Sequence, residues 1–343
     1  MNKEILFNLI EKDSPTGLER EVQQFLANTY KASNNRFEVS EKGALTAIYN
    51  ESADFSIMLA AHADEISLIV DGYNSNGSLK VNKNGGVRAR LYQGCKVRVI
   101  RPDGKVFNGV CGYNDFSKEV KLDECFVDCG FLNEEEARKN ICLGSYVIHD
   151  TDCKELANNL ISGRAFDDRA CDYIIHEAAK LAMEEGCKNK IYVTTTVGEE
   201  NTGRGAYQAS SMYKPNVFVA VDVTYATDYP QCDERGEVKL RCGGAICHGS
   251  ITNRKLNALL KECADELNLK VQDEVFAGFT GTDGDTALKT GISPAITLFS
   301  LPLRYMHSPA EVVSLDDIDS MIKVLARFLT KLNKNMNLAP YEI

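Results

Sequence analysis

Four short apolar runs, each followed closely by a histidine or a carboxylate, constrain the fold of this chain most strongly. The runs are SIMLAAH, KIYVTTTV, NVFVAVD and AITLFSLP. Uninterrupted apolar runs of this length are typical of strands buried on both faces of a parallel sheet. The carboxyl ends of such strands meet at one edge, where ligands bind in open α/β sheets. The side chains that we expect at that edge are His62, Asp167, Glu200, Asp222 and His307.

The rest of the chain shows two different patterns of apolar and polar residues. From residue 162 onward, amphipathic helical patterns alternate with the apolar runs, and residues 1–65 add the helical pattern LEREVQQFLANTYKAS and the first strand. Residues 66–161 instead show short apolar alternations separated by the turn signals NSNG, NKNGG and RPDGK, with a short helix at EEEARKN. We therefore predict an α/β domain over 1–65 and 162–343, with a mixed, largely parallel sheet flanked by helices in a phosphorylase/hydrolase-like arrangement. A small β-barrel-like domain is inserted at 66–161.

Composition excludes several classes of protein. The chain has 343 residues, 44% of them hydrophobic, which suits two domains with substantial cores. A formal net charge of −10 and the lack of a long basic run disfavour binding to nucleic acid. No signal peptide and no apolar run of roughly 20 residues is present, so we expect a cytoplasmic protein without membrane contacts. The twelve cysteines form no Cys-x-x-Cys pair, and we expect reduced thiols.

The first candidate metal ligand is His62, which ends its strand two residues before Asp64. Residues at that spacing in a strand point the same way, so the carboxylate of Asp64 can accept a hydrogen bond from the far ring nitrogen of a metal-bound His62. A strand-end histidine followed by a turn aspartate explains the same pattern without a metal. The pair indicates a metal site only together with the other candidates.

Asp167 and Asp168 directly precede an amphipathic helix. A helix N-cap would account for one such carboxylate. Two carboxylates beside Arg169 exceed what a cap needs, and a bridging carboxylate holds two cations at the roughly 3.5–4 Å separation of two-metal hydrolases. Asp167 is the candidate for that bridge.

Glu199 and Glu200 follow a strand directly, so their side chains diverge. One of them can bind metal while its neighbour takes a proton from the attacking water, and we assign Glu200 as the ligand and Glu199 as the general base. Asp222 ends an apolar run, where an acid is costly to bury unless a cation pairs with it. These assignments together indicate a dinuclear metallohydrolase, with His307 completing the ligand set.

Substrate-binding residues are less well marked. The segment GFTGTDGDTA contains Thr282 and Asp283, which either line the substrate site or cap the following helix. Arg304 and Glu311 flank His307, where they would orient either the substrate or that histidine. We expect Thr282, Asp283 and Arg304 to be the substrate-binding candidates.

Six blocks in this order carry a resemblance to a known family: AHADEI, GRAFDDRA, TVGEE with RGA, VDVT, GTD and RYMHSPAEVVSL. They resemble the tetrahedral (TET-type) dinuclear metallo-aminopeptidases, metallopeptidase family 42, over nearly the whole chain. That family contains glutamyl and deblocking aminopeptidases, and some homologues carry the label endoglucanase. The insertion after the first block resembles the dimerisation domain of the family.

The resemblance implies an aminopeptidase that removes N-terminal residues from peptides with free N-termini, using two divalent ions per subunit, zinc or cobalt. It implies that His62 and Asp222 bind one ion, that Glu200 and His307 bind the other, and that Asp167 bridges them.

For the remaining residues, the resemblance implies that Glu199 is the general base and that Asp64 supports the first histidine. It also implies a cis peptide bond between Asp167 and Asp168, and a homo-oligomer in which dimers assemble to a dodecamer. The chain departs from the family at Ala63 and Ser67, where Met and Gly are more usual, and in NTG after the glutamate pair. These departures flank the catalytic positions and bear on substrate preference and local packing.

Three other functions compete with this interpretation. Dinuclear deacylases of N-acyl amino acids use a similar set of His, Asp and Glu ligands. An endoglucanase would need a carboxylate pair flanking a sugar, whereas the acids here are assigned to metal. A non-catalytic assembly scaffold would be expected to lack a ligand or the base, and every one of them is present in the sequence.

Overall fold

The computed structural model describes residues 1–32, 34–112, 121–232 and 236–341. The helices are α1 Lys3–Ile10, α2 Arg20–Tyr30, α3 Glu134–Asn140, α4 Phe166–Glu184, α5 Arg204–Tyr213, α6 Arg254–Glu266, α7 Asp283–Leu288 and α8 Leu315–Lys331. The strands are β1 Asn35–Val39, β2 Leu45–Tyr49, β3 Ser56–His62, β4 Ser67–Tyr73, β5 Leu79–Asn84, β6 Lys96–Ile100, β7 Val106–Gly112, β8 Phe126–Asp128, β9 Tyr146–His149, β10 Lys154–Glu155, β11 Leu160–Gly163, β12 Lys190–Thr196, β13 Val217–Tyr225, β14 Ala245–Gly249, β15 Gln272–Phe276, β16 Ala295–Leu303 and β17 Glu311–Ser314.

The main sheet has eight strands in the order β1-β2-β12-β3-β13-β16-β14-β15. Its centre, β12-β3-β13-β16, is parallel throughout, and these four strands are the apolar runs of the sequence. Antiparallel pairs join β1 to β2, β2 to β12, and β16 to β14. The predicted mixed, largely parallel sheet is confirmed.

Helices cover both faces of this sheet, so alternate residues of each central strand enter different cores. Ile57 and Leu59 of β3 join a large core with α4 and α8. Met58 and Ala60, on the opposite face, join a smaller core under α5 and α7. Burial on both faces explains why the strands read as uninterrupted apolar runs.

A closed barrel of six strands, in the order β4-β5-β8-β7-β6-β9, lies between β3 and β11 in the chain. It has a hydrophobic core of its own, built from residues such as Leu68, Val99 and Val147. The predicted barrel-like insertion is thus present, and α3 forms at EEEARKN as predicted. Strands β10 and β11 pair with β17 in a separate three-stranded sheet. The domain boundaries at residues 65/66 and 161/162 stay a prediction.

One strand end differs from the prediction. NVFVAVD was expected to end at Asp222, but β13 continues to Tyr225 because its pairing with β16 extends that far. Its pairing with β3 stops at Ala220. Asp222 therefore lies within β13, where the neighbouring strand β3 no longer accompanies it, and the edge of the sheet opens beside it.

Within the described residues, no helix has both the length and the apolar character that crossing a membrane requires. None of the twelve cysteines forms a disulfide bond in the structure.

Candidate metal centre

The predicted ligands meet at the carboxyl edge of the central strands. His62 is the last residue of β3, Asp222 lies on β13, and His307 follows β16. Glu200 follows β12, and Asp167 stands in the first turn of α4. All five line the same cleft, which has a volume of about 280 Å³.

Asp167 lies between the two histidines. Its Oδ1 atom is 3.1 Å from Nε2 of His62, and its Oδ2 atom is 3.1 Å from Nε2 of His307. Glu200 Oε1 lies 3.2 Å from the same atom of His307. Two ligands of one ion at about 2.0–2.2 Å are themselves separated by roughly 3 to 3.5 Å. The spacing therefore suits one ion on each side of the Asp167 carboxylate.

The histidine rings are oriented by main-chain carbonyl groups. Nδ1 of His62 lies 3.0 Å from the carbonyl oxygen of Asp64, and Nδ1 of His307 lies 3.3 Å from that of Gly86. Because a carbonyl oxygen can only accept, each Nδ1 carries the proton. With a proton on Nδ1, Nε2 is the nitrogen that each ring would offer to a metal ion beside Asp167.

A second group of donor atoms lies on the β13 side. Oxygen atoms of Asp168 and Asp222 lie with a ring nitrogen of His62 within 4.8 Å of one another. Asp168 Oδ2 also accepts a hydrogen bond from the main-chain N–H of His62 at 3.2 Å. The sequence prediction did not assign Asp168 to the site, although the adjacent Asp-Asp pair was a signal for it.

The charge of this cluster fits divalent cations. Burial raises the pKa of Asp222 to about 8 and that of Glu199 well above its usual range. Burial alone would lower the pKa of His307, but its hydrogen bonds to Asp167 and Glu200 outweigh that effect and raise it to about 12. In the described part of the chain, no lysine or arginine lines the cleft. Several buried carboxylates without a lysine or arginine among them favour a bound cation, and the nitrogen and oxygen donors present are those of zinc-type ions.

Two further carboxylates hold the main chain around the ligands. Glu311 is buried and accepts hydrogen bonds from the main-chain N–H groups of His307, at 2.8 Å, and Asp167, at 3.2 Å. Asp64 was predicted to accept a hydrogen bond from the ring of His62 through its carboxylate. Its carbonyl oxygen does so instead, because the carboxylate binds the main chain of the glutamate pair, and the nearer carboxylate oxygen is 3.8 Å from Nδ1.

Glu199 lies beside the ligands without joining either donor group. Its Oε2 atom is 3.9 Å from Nε2 of His62, and its side chain lines the cleft. The peptide bond between Asp167 and Asp168 is cis, as the resemblance implies.

The three substrate-binding candidates occupy different positions. Thr282 lines the cleft and also caps α7 by accepting a hydrogen bond from the N–H of Gly284. Asp283 is buried and accepts a hydrogen bond from Thr196 at 2.5 Å. The guanidinium of Arg304 forms two hydrogen bonds of 2.7 Å to the carboxylate of Asp228. Arg304 is thus engaged within the protein, which the sequence could not indicate because its partner lies 76 residues away.

The barrel also contributes to the site. The carbonyl oxygen of Gly86 lies beside the ring of His307. Asn84 accepts a hydrogen bond of 2.7 Å from Asn201, which follows the glutamate pair. A Cβ atom at position 86 would lie 2.8 Å from Cε1 of His307, so a glycine is required for this close approach. These contacts could not be predicted from sequence patterns, because the residues that meet belong to different predicted domains.

The fold and the donor set define a metal-dependent hydrolase of the α/β class. Residues 43–324 match the family described as M42 glutamyl aminopeptidase. The chain belongs to this family and is a metal-dependent aminopeptidase.

Known proteins resemble the chain along its length. The lysyl aminopeptidase of Pyrococcus furiosus is 29% identical to it over 98% of this chain and 99% of the relative. The solved structure of aminopeptidase APDkam598 from the archaeon Desulfurococcus kamchatkensis is 30% identical, with a TM-score of 0.90, over 96% of this chain and 94% of that chain. The structure of the TET1 peptidase of Pyrococcus horikoshii has a TM-score of 0.86 at 24% identity, over 96% of this chain and 99% of that chain. That peptidase is described as able to assemble into a tetrahedron or a large octahedral shell.

Proposed function

We propose that the chain hydrolyses the first peptide bond of peptides with free N-termini at a dinuclear metal centre. The position of Asp167 carries this proposal, because its two carboxylate oxygens each lie 3.1 Å from a different histidine. His62 and Asp222 would hold one ion, and Glu200 and His307 the other. Histidine nitrogen and carboxylate oxygen donors suit zinc and cobalt.

Divalent cations at these positions would supply Lewis-acid chemistry, lowering the pKa of water and polarising the scissile carbonyl. Glu199 is the general base: it borders the ligands, remains outside both donor groups, and faces the cleft. Its carboxylate takes a proton from the attacking water and then gives it to the leaving amine.

We propose a cytoplasmic homo-oligomer in which dimers form through the barrel and assemble into a dodecamer. The tetrahedral assembly described for the Pyrococcus horikoshii relative supports this, as do the cysteines, which form no disulfide bonds.

Hydrolysis by chelator-stripped protein, before and after addition of zinc or cobalt, tests the proposal. The substrates are tripeptides with free N-termini, the same peptides acetylated at the N-terminus, and N-acetyl amino acids. We expect metal-restored release of the first residue from the free peptides alone. Release of acetate from N-acetyl amino acids would identify a deacylase, and metal-independent cleavage would contradict the proposed centre.

A further inference from the structure

The cleft beside the metal centre continues past the ligands into a region with its own chemistry. Side chains with hydroxyl or apolar groups line it: Thr224, Tyr225, Phe276, Thr280, Thr282 and Met306. The whole cleft, including the part around the ligands, has a volume of about 280 Å³, slightly below the roughly 300–1,000 Å³ of ligand pockets. This region has room for a small group next to the reacting bond, as the first side chain of a peptide would be.

Lysine and arginine are absent from the lining of the cleft as far as the structure describes the chain. Arg304 stands two residues before Met306, but its Nε and Nη2 atoms are both 2.7 Å from the carboxylate of Asp228. A guanidinium in a two-point hydrogen bond with a carboxylate is not available to a second anion without breaking that pair.

A buried carboxylate lies behind the wall of this region. Glu274 is buried, and its two oxygens accept hydrogen bonds of 2.5 Å from the hydroxyl groups of Thr224 and Ser300. Thr224 lies between this carboxylate and the cleft. An acidic side chain bound in this region would find no lysine or arginine to pair with among the described lining residues. A lysine side chain in the cleft would meet Thr224 and not the carboxylate, because Glu274 itself does not line the cleft.

We propose that this region receives the first side chain of the substrate and selects an uncharged one, apolar or hydroxyl-bearing, over aspartate, glutamate and lysine. The inference rests on the aminopeptidase function proposed above and names its substrate class. Enclosing a charged side chain without a partner is unfavourable, whereas Phe276 and Met306 offer apolar contacts. The expected preference differs from the glutamyl activity in the description of the family.

Kinetics of the zinc- or cobalt-loaded enzyme on tripeptides X-Ala-Ala provide the first test, with X as Leu, Met, Thr, Glu, Asp or Lys. We expect kcat/KM for the best uncharged residue to exceed that for Glu, Asp and Lys by about 100-fold or more. Faster cleavage of the Glu, Asp or Lys peptide would overturn the inference and leave the aminopeptidase function intact. Cleavage of none of the peptides would overturn both.

A pair of neighbouring substitutions tests the location of the specificity. Phe276 lines the cleft, whereas Val275, adjacent on β15, is 73% exposed and does not line it. Phe276→Lys should raise kcat/KM for the Glu peptide relative to the Leu peptide by about 10-fold, since it adds a partner for the carboxylate. Val275→Lys adds the same charge outside and should leave the ratio unchanged. Equal ratios in both variants would place the specificity elsewhere and contradict the inference.

Discussion

The carboxylate of Asp64 accepts a hydrogen bond of 3.0 Å from the main-chain N–H of Glu199. It also accepts hydrogen bonds from the N–H of Glu200, at 3.3 Å, and from the hydroxyl of Thr16, at 2.8 Å. Its main-chain oxygen meanwhile holds the ring of His62. Asp64 thus fixes the positions of Glu199, Glu200 and His62 relative to one another.

Asp64→Asn should therefore impair turnover without unfolding the site. Asparagine keeps one acceptor oxygen, so one of the main-chain N–H groups loses its partner. We expect kcat to fall by about 10- to 100-fold and metal affinity to fall in the same range, as for other residues that support ligands. Thr16→Val removes only a donor to the same carboxylate and should cost less. Wild-type kcat in the Asp64 variant would contradict this role.

Adjacent substitutions in the glutamate pair separate the base from the ligand. Glu199→Gln should retain the metal content of the wild type and lose about 10²- to 10⁴-fold in kcat, because glutamine cannot take a proton. Glu200→Gln should lose metal as well, since its oxygen belongs to the His307 side of the centre. Metal analysis and steady-state kinetics on both proteins check the assignment. It would be wrong if the Glu199 variant lost metal or turned over normally.

The pair of Arg304 and Asp228 should act on stability and not on substrate binding. Its side chains are about 20% and 16% exposed and form a two-point contact that holds the loop leading to His307. Each alanine variant should lower the free energy of unfolding by about 1 kcal/mol, and the double variant by little more than either. Denaturant unfolding of the wild type, the two single variants and the double variant measures these changes. A higher KM for Arg304→Ala with unchanged stability would restore the role in substrate binding predicted from the sequence.

His176 should make the protein sensitive to acid. It is fully buried, stacks on Tyr30 with ring centroids 4.5 Å apart, and burial lowers its pKa to about 3. The unfolded chain protonates its histidines below about pH 6.5, so this residue costs stability as pH falls from 6.5 towards 3. At pH 5 the cost is about 2 kcal/mol.

His176→Phe removes the titrating group and keeps a stacked ring. In chelator-treated protein, its free energy of unfolding should decrease less between pH 7 and pH 5 than that of the wild type. His248→Gln is the control, because His248 is 45% exposed. Parallel pH profiles for wild type and the His176 variant would show that His176 does not cause the acid sensitivity.

The sequence predicted what local pattern encodes. The central strands are buried on both faces, so they appear as uninterrupted apolar runs, and β3 ends at His62 as predicted. The helices α2, α4, α5, α6 and α8 were equally clear from their spacing. Helix α1 was not predicted, because it is only eight residues long and depends on burying Leu6, Leu9 and Ile10 against the rest of the core.

What the sequence could not predict depends on distant partners. Asp222 lies inside β13 because β16 keeps pairing where β3 stops. The carboxylate of Asp64 turns to the glutamate pair 135 residues away, and Gly86 of the barrel approaches His307 across the two domains. Such contacts are decided by tertiary packing, which no local pattern records.

Titration of chelator-stripped protein with zinc or cobalt tests the central claim most directly. Bound metal per chain and the rate of tripeptide cleavage are measured at each step, for wild type and for Asp167→Asn. We predict that wild-type activity reaches its maximum as two ions bind per chain, and that the variant loses affinity for both ions together. Full activity with one ion, or two ions bound at wild-type affinity in the variant, would contradict a dinuclear centre bridged by Asp167.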